Sequence, residues 1–269
     1  MTKPRRPALL FASLLFAAAL HARRVEAQVD QSALAAQILR GGAAERTRAV
    51  EAARTLGPQK IGQGLRVALI TALEREGQVE ALRYAADDRG EKLEPRENPE
   101  FIFQVAGVVA ELRDPEAIPA LVGALGTGSG SPVIRALVDF GEQAVPALLT
   151  AVTAPETRHY VVDDALLVLR FLVEGAGPRP LTLAARDRIV PAAIQRLNAR
   201  QPGIGTTLRR AIDLAVILGD PELRRIVQAI ASDRNELIAR GLTDPEMIDA
   251  TQKRAVDRLA GIPPNPRWR

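Results

Sequence analysis

A search of the sequence for residues that could do chemistry centres on His159. The chain has two histidines and no cysteine, and His21 lies in the N-terminal segment treated below. Without cysteine, thiol nucleophiles, Cys/His metal sites and disulfides are impossible. His159 stands between Arg158 and Tyr160, and Asp163 follows one helical turn later on the same helix face. This pair fits an acid/base or ligand cluster. The alternative, which we favour, is an exposed polar group at the start of a helix.

Two pairs of adjacent carboxylates, Asp87 with Asp88 and Asp163 with Asp164, are further candidates for metal or hydrolytic chemistry. Neighbouring residues on a helix point about 100° apart, so neither pair converges on one ligand by itself. We interpret both pairs as solvated surface. The glycine-rich segment 126–131 lacks the lysine and the preceding strand of a phosphate-binding loop, and we expect a turn there. The sequence therefore predicts no metal site and no cofactor.

The N-terminal segment has the three parts of a secretory signal peptide. A basic stretch at 3–6 precedes an apolar run of 13 residues at 8–20, and we expect Val25-Glu26-Ala27 to serve as the cleavage site. The apolar run is shorter than the roughly 20 residues that span a bilayer, which disfavours the alternative of an uncleaved anchor. We expect residues 1–27 to be removed after Ala27. The mature chain is then periplasmic or secreted, without a transmembrane segment.

The positive net charge of the chain belongs largely to this leader. Residues 1–27 hold five of the 36 Lys and Arg residues and one of the 32 acidic residues, which leaves 31 of each. Binding to nucleic acid requires a surplus of cations that displaces counterions from phosphates. A neutral mature chain therefore argues against a nucleic-acid partner.

Composition and internal repetition both predict an all-α fold. Hydrophobic residues make up 47% of the chain and aromatic residues 3%, while Ala and Leu dominate, which favours closely packed helices. The segment 117–125 recurs as 144–152 and more loosely as 189–197, each with a proline that we place in the first turn of a helix. A second pattern, 48–57, recurs as 210–219. It contains an Arg-Ala pair, a second alanine, a leucine and a closing glycine.

Helix starts of one type separate these patterns. We expect proline at the first helical position in Asp-Pro-Glu at 114–116, 220–222 and 244–246, in Asn-Pro-Glu at 98–100 and in Ala-Pro-Glu at 154–156. Together the patterns predict a solenoid of about six helical hairpins, each with a first and a second helix. The predicted pairs are 31–40 with 44–56, 61–75 with 99–112, 115–125 with 132–140, 143–152 with 157–173, 183–199 with 206–218, and 221–231 with 245–259.

No stretch of the mature chain has the composition of an interdomain linker. We expect one continuous domain from 28 to 261, followed by a disordered proline-rich tail at 262–269. Residues 78–86 are expected to extend a helix, and the charged residues 87–98 to form a loop.

The Pro-Ala-Leu-Leu and Arg-Ala-x3-Ala-x2-Leu-Gly motifs resemble HEAT repeats, including the shorter type of the phycobilin lyase group. The resemblance covers nearly the whole mature chain and is clearest from 114 to 220. It implies an α-α superhelix whose second helices line a concave surface, usually used to hold another macromolecule. Tetratricopeptide repeats are the structural rival. Their pattern requires aromatic residues in every unit, whereas four Phe and two Tyr remain after residue 27 for six units.

Candidate binding residues follow from the HEAT-like arrangement. Arg48, Arg135 and Arg210 occupy comparable places on second helices, where they would face or flank the concave surface. Arginines there could hold carboxylates of a partner through bidentate hydrogen bonds. The alternative is intramolecular pairing with acids such as Asp139 or Asp213.

The tail contains the single tryptophan of the chain. Trp268 stands between two arginines, a combination that anchors interfaces, although a disordered terminus is the other interpretation. Trp268, His159 and Asp163 therefore join the three arginines as candidate partner-binding residues.

These observations lead us to expect an exported, non-enzymatic interaction or scaffold module that binds a protein or peptide on the concave face. The alternative is a small-molecule-binding or lyase-like protein that uses the same groove. A third candidate is an accessory domain that stiffens an envelope assembly. A groove lined by large apolar residues would favour a small ligand, and an open groove of mixed charge would favour a protein.

Overall fold

The computed structural model describes residues 30–87, 89–126, 130–200 and 205–263. Within these ranges all regular secondary structure is helical, which confirms the all-α prediction. The signal peptide predicted at 1–27 lies outside the described residues, as do Trp268 and most of the predicted tail. No helix in the described ranges combines the length and the apolarity that crossing a bilayer requires.

The helices follow one another with short connections. In chain order they are α1 (Gln31–Arg40), α2 (Ala43–Leu56), α3 (Gln63–Asp87), α4 (Phe101–Leu112), α5 (Ile118–Gly123), α6 (Gly130–Phe140), α7 (Val145–Thr153), α8 (His159–Val173), α9 (Leu183–Leu197), α10 (Gly205–Leu218), α11 (Pro221–Ser232), α12 (Arg234–Ala239) and α13 (Pro245–Leu259). Short 3-10 turns at Pro58–Lys60, Pro115–Ala117 and Gly141–Ala144 lie between them.

Helix contacts arrange the described chain as six stacked hairpins. The pairs are α1 with α2, α3 with α4, α5 with α6, α7 with α8, α9 with α10, and α11 with α13. Each first helix also contacts the next first helix, and each second helix contacts the next second helix. The result is a two-layer α-solenoid, as predicted. We call the layers the first-helix layer (α1, α3, α5, α7, α9, α11) and the second-helix layer (α2, α4, α6, α8, α10, α13).

One apolar core runs through the stacked hairpins. Leu69, Leu121, Leu148 and Leu169 are fully buried in it, and full burial of such a side chain contributes roughly 1.5–3 kcal/mol. The alanines of the second repeat pattern are buried as well, for example Ala211 on α10. Small side chains at these positions allow neighbouring helices to approach closely, so the recurring alanines of the second pattern reflect helix packing.

The predicted Asp-Pro helix starts are confirmed. Asp114, Asp220 and Asp244 each accept a hydrogen bond from the backbone N–H two residues later, with proline in the first turn. Such a cap satisfies one of the helix-terminal N–H groups that lack a partner. The start predicted at 154–156 is wrong, since α8 begins at His159. Ala154 has no side chain that could cap a helix there.

The recurring proline has two different roles. Pro119 and Pro146 lie in the first turn of α5 and α7, as expected. Pro191 lies inside α9, so the prediction of a first-turn position is wrong for the third copy. Thr182 caps α9 with its hydroxyl, which accepts from Ala185 N at 3.2 Å, and the helix runs continuously from Leu183. Pro191 is exposed. Because proline has no N–H, one backbone carbonyl of α9 loses its helical donor, and water can reach that carbonyl instead.

Two elements depart from a plain hairpin pattern. The predicted extension at 78–86 is confirmed, because α3 continues to Asp87. The short α12 was not predicted, and it fills the connection between α11 and α13.

Arginines from later hairpins bind the C-terminal ends of earlier first helices. Arg196 on α9 donates to Val152 O near the end of α7, and Arg240 after α12 donates to Leu197 O at 2.7 Å at the end of α9. The last carbonyls of a helix lack intrahelical donors and carry partial negative charge. A cation there both satisfies them and joins successive repeats.

Candidate functional site

Two adjoining cavities form one open groove on the second-helix layer. One cavity, of about 640 Å³, lies along α2, α4 and α6. The other, of about 650 Å³, continues from the ends of α4 and α6 to the segment 178–182. Arg113, Ala136 and Asp139 line both cavities, so the two cavities adjoin. We call this feature the second-helix groove.

The lining of the second-helix groove mixes charges with small and aromatic apolar groups. Its cations are Arg54, Arg113, Arg135 and Arg179, its acids are Glu111, Asp139 and Glu142, and its apolar residues include Phe103, Ala110, Ala136 and Phe140. Phe103 is 37% exposed. The groove thus offers an aromatic side chain beside charged groups, with a small surplus of arginines.

Arg113 occupies the junction of the two cavities in an uncommon backbone conformation. Its φ is +50°, and it is the one non-glycine residue with positive φ among the described residues. It follows the last residue of α4, where glycine is the usual choice. Its guanidinium lies 3.7 Å from the Asp139 carboxylate across the groove, and exposed ion pairs of this kind contribute little to stability. Both groups therefore remain available to a partner.

A buried ionic cluster occupies the C-terminal half of the same layer. Asp213 on α10 is 1% exposed, and its carboxylate lies 3.4 Å from Arg170 Nη1 on α8. On the other side, Arg254 Nε of α13 donates to it at 2.8 Å, and Arg258 Nε lies 3.3 Å away. We call these four residues the Asp213 cluster. One carboxylate therefore connects the second helices of three successive hairpins.

Arginine charges are crowded around the Asp213 cluster. Burial lowers the pKa of Arg258, and Arg254 lowers it further by repulsion. Burial also lowers the pKa of Arg210, followed by repulsion from Arg170, and the pKa of Arg209 falls through burial and through Arg254. Arginine remains protonated in proteins, so these cations are partly buried and lie near one another.

Asp163 and Asp164 on α8 contact different neighbours. Thr207 Oγ1 of α10 donates to Asp163, and Gly126 N donates to Asp164 at 3.0 Å. The two carboxylates do not converge, as predicted, but the expectation of solvated surface is wrong for this pair, because packing against α10 and residue 126 leaves both half-buried. Burial raises the pKa of both carboxyl groups, against their hydrogen bonds and the charge of Arg210.

Comparison of the chain with models of protein families, with curated proteins and with solved structures gives no match. The HEAT-repeat resemblance therefore stays a prediction. The parts of the chain that the structure describes contain no group of three or more His, Asp or Glu side chains able to hold a metal ion.

The predicted site residues fall in different places. Arg135 is exposed and lines the second-helix groove. Arg48 is exposed on α2 and donates to Ala44 O of its own helix at 3.2 Å. His159 is exposed at the start of α8, with its ring 4.9 Å from that of Tyr160.

His159 and Arg210 both lie near Asp163, and both act to lower the pKa of its carboxyl group. Trp268 lies outside the described residues.

Sequence reasoning missed the arginines that complete the Asp213 cluster. Asp139 forms an ion pair with Arg113. Asp213 forms ion pairs with Arg170, Arg254 and Arg258. One sequence signal was present: Arg170 and Asp213 each interrupt an apolar stretch of a helix, at 165–173 and 211–218. Charged residues are rarely fully buried unless they are paired, so these two positions predict partners for each other.

Proposed function

We propose that the protein is a non-enzymatic interaction module that binds a segment of a protein partner in the second-helix groove. The observation that carries this proposal is the mixed lining of a long, open groove, in which four arginines and three acids surround Phe103 and Phe140. Pockets for small molecules are mostly apolar and enclose the ligand. Protein interfaces instead combine aromatic and arginine anchors with a polar rim.

The length of the groove favours an extended segment as the bound element. Its two cavities follow α2, α4 and α6 and end at residues 178–182, so a partner can contact three successive hairpins. Stacked repeats generate such extended binding surfaces. The short 3-10 turn Gly141–Ala144 and the loop after α8 close one end of this surface.

Export to the periplasm or the exterior is a further part of the proposal. It rests on the basic, apolar and small-residue segments within residues 1–27. N-terminal sequencing of protein recovered from the producing cells tests it, with Gln28 as the expected first residue. Recovery of the chain with residues 1–27 intact would contradict export by cleavage.

Photo-crosslinking tests the groove. A p-benzoylphenylalanine placed at Arg135 is expected to capture a discrete partner in the producing cells, and mass spectrometry then identifies the captured segment. The same crosslinker at Arg225, exposed on α11 in the first-helix layer, is the matched control.

The affinity of the purified partner provides the decisive measurement. Arg135→Glu is expected to weaken binding at least tenfold, and Arg225→Glu to leave it unchanged. Equal crosslinking from both positions, or equal affinity of both variants, would overturn the assignment of the groove. Turnover of a small substrate that requires groove residues would overturn the non-enzymatic assignment.

A further inference from the structure

Arg113 occupies a position at which the other second helices have a glycine. The pattern at the end of α2 and α10 closes with Leu-Gly at 56–57 and 218–219, whereas α4 closes with Leu-Arg at 112–113. Glycine suits this position because a Cβ strains the left-handed conformation. Arg113 nevertheless adopts that conformation, with φ +50°. Each of the other five second helices is followed within two residues by a glycine with positive φ, namely Gly57, Gly141, Gly175, Gly219 and Gly261.

The contacts of Arg113 do little to offset this strain. Its guanidinium lies 3.7 Å from the Asp139 carboxylate, and the two side chains are 77% and 47% exposed. Ion pairs this exposed contribute little to stability. Strained backbone conformations are concentrated at functional sites, where the strain is kept for the sake of the side chain. The arginine at this position is therefore better explained by what its side chain binds than by the fold.

Arg113 lies at the point that a segment bound along the second-helix groove has to cross. It lines both cavities, of about 640 and 650 Å³, at the place where they adjoin. Its guanidinium has five N–H donors in a planar fork. Asp139 approaches these donors at 3.7 Å, which is beyond hydrogen-bond distance. The donors therefore remain free for an acceptor that a partner brings into the groove.

A carboxylate is the acceptor that a protein segment supplies. Guanidinium groups bind carboxylates through two parallel N–H donors, and Asp and Glu side chains carry that group without modification. The groove lining holds four arginines and three acids, and a fourth acid, Glu51, lies 3.6 Å from Arg54. General charge attraction is therefore weak in this groove, and the bidentate geometry at Arg113 decides what binds.

We propose that Arg113 is the specificity-determining residue of the second-helix groove and binds the carboxylate of an acidic side chain in the partner segment. This inference rests on the proposed function, because it takes a protein segment to occupy both cavities. In the free protein, Asp139 keeps the guanidinium at the junction of the cavities. The incoming carboxylate binds the donors that Asp139 leaves free.

Thermal unfolding tests whether the arginine is kept for binding or for stability. Arg113→Gly is expected to raise the midpoint by about 2–4 °C, because glycine relieves the left-handed strain. Gly219→Arg is the matched control, since it places an arginine after α10 at φ +72° and lines neither cavity. The control is expected to lower the midpoint and to leave binding in the groove unchanged. A lower midpoint in Arg113→Gly would show that the arginine stabilises the fold, and would overturn the proposal.

Peptides selected from a random library displayed on phage, with the full chain as bait, test the carboxylate. Each selected peptide is synthesised with a fluorescent label, and its affinity is measured by anisotropy. The peptides are expected to contain an acidic residue whose replacement by its amide weakens binding to the wild type at least tenfold. The same replacement is expected to have no further effect on Arg113→Gln, since both changes remove one contact. Arg113→Lys is expected to give an intermediate loss, because it keeps the charge without the bidentate geometry.

Several outcomes would overturn the role of Arg113. Selected peptides without a required acidic residue, or an amide replacement that costs the same affinity in wild type and Arg113→Gln, would show that no carboxylate binds there. Displacement of a labelled peptide by inorganic phosphate at lower concentrations than by acetate would assign the arginine to phosphate groups instead. Equal weakening in Arg225→Gln, which removes an exposed arginine from the first-helix layer, would reduce the effect to charge alone.

Arg135→Glu separates this inference from the proposed function. If it weakens the selected peptides and Arg113→Gln does not, the groove assignment stands and the role of Arg113 is wrong. If neither variant weakens any selected peptide, both assignments are wrong.

Discussion

Arg254 of α13 and Asp213 of α10 form a two-point ion pair, in which Nε donates to Oδ1 at 2.8 Å and Nη2 donates to Oδ2. The same carboxylate also pairs with Arg170 of α8. In a solenoid, each hairpin contacts mainly its neighbours, so stability depends on the interfaces between repeats. Asp213 therefore holds together two successive interfaces of the second-helix layer.

Loss of the Asp213 charge is expected to destabilise the fold strongly. Asp213→Asn leaves Arg170, Arg254 and Arg258 near one another without their common counter-ion. Removal of one partner from a buried ion pair costs about 3–5 kcal/mol, and we expect a fall of that size in the free energy of unfolding measured by urea denaturation.

Asp139→Asn is the matched control, since Asp139 forms an exposed pair with Arg113. It is expected to change the free energy of unfolding by less than about 0.5 kcal/mol. Similar losses in the two variants would contradict a special role for the buried carboxylate.

Gly126 is expected to tolerate no side chain. A Cβ at this position would lie 2.4 Å from Tyr160 Cδ2 and 3.1 Å from Val161 N, and φ is +75°. Gly126→Ala therefore combines backbone strain with a clash against the start of α8. Gly219→Ala is the control, because Gly219 has φ +72° but no atom within 4 Å of a Cβ.

Thermal unfolding of the two alanine variants measures the clash. The control is expected to lose about 1–2 kcal/mol, the usual cost of a left-handed conformation outside glycine, and Gly126→Ala to lose clearly more. Equal losses would mean that Tyr160 and Val161 move aside without cost.

The local features of the fold could be predicted from the sequence because they depend on residues close together in the chain. Asp220 and Pro221 start α11 by capping alone, and the buried alanines of α10 mark a packed face. The hairpin count follows from such local signals. Pro191 was misplaced because the same proline motif fits either a first turn or the exposed side of a longer helix.

The candidate sites depended on tertiary packing and could be predicted only in part. Asp213 finds Arg170 and Arg254 at sequence separations of 43 and 41 residues. The charge that each places in an apolar stretch suggests that Arg170 and Asp213 pair, but no local pattern selects Arg254 or Arg258 as further partners. Asp163 has the sequence environment of a surface residue, and only the packing of α10 against α8 buries it. Arg135 was assigned to the binding face because its helix register repeats that of other second helices.

Arg196 is expected to stabilise the junction between the fourth and fifth hairpins. It is 6% exposed and donates to Val152 O and, at 3.4 Å, to Ala154 O. Arg196→Met keeps much of the packing volume but leaves these carbonyls without donors. Unsatisfied buried groups cost about 1–3 kcal/mol each. The variant no longer buries a cation, which offsets part of this cost, since burial lowers the Arg196 pKa.

Urea denaturation is expected to show a net loss of about 1–2 kcal/mol for Arg196→Met. Arg188→Met, exposed on the same helix, is expected to change stability by less than about 0.5 kcal/mol. An unchanged midpoint for Arg196→Met would show that water replaces the arginine at the end of α7.

Asp163 is expected to make the stability of the fold depend on pH. Burial raises its folded-state pKa above the usual 3.8, and this outweighs the hydrogen bond from Thr207 and the charge of His159. Between these two pKa values the native state binds more protons than the unfolded state. The contribution of Asp163 is therefore fully present below pH 3.8 and is lost as pH rises through the raised pKa.

Asp163→Asn removes this titration while it retains a polar side chain beside Thr207. The free energy of unfolding of the wild type minus that of the variant is expected to increase as pH falls from neutral toward about 4. Carboxylates common to both proteins cancel in this difference. Glu91→Gln provides a control of opposite sign, because the hydrogen bond from Arg89 lowers the Glu91 pKa, so the corresponding difference decreases with acidification. Urea denaturation at several pH values gives both slopes, and a slope of zero or of reversed sign for Asp163→Asn would show that burial does not control its protonation.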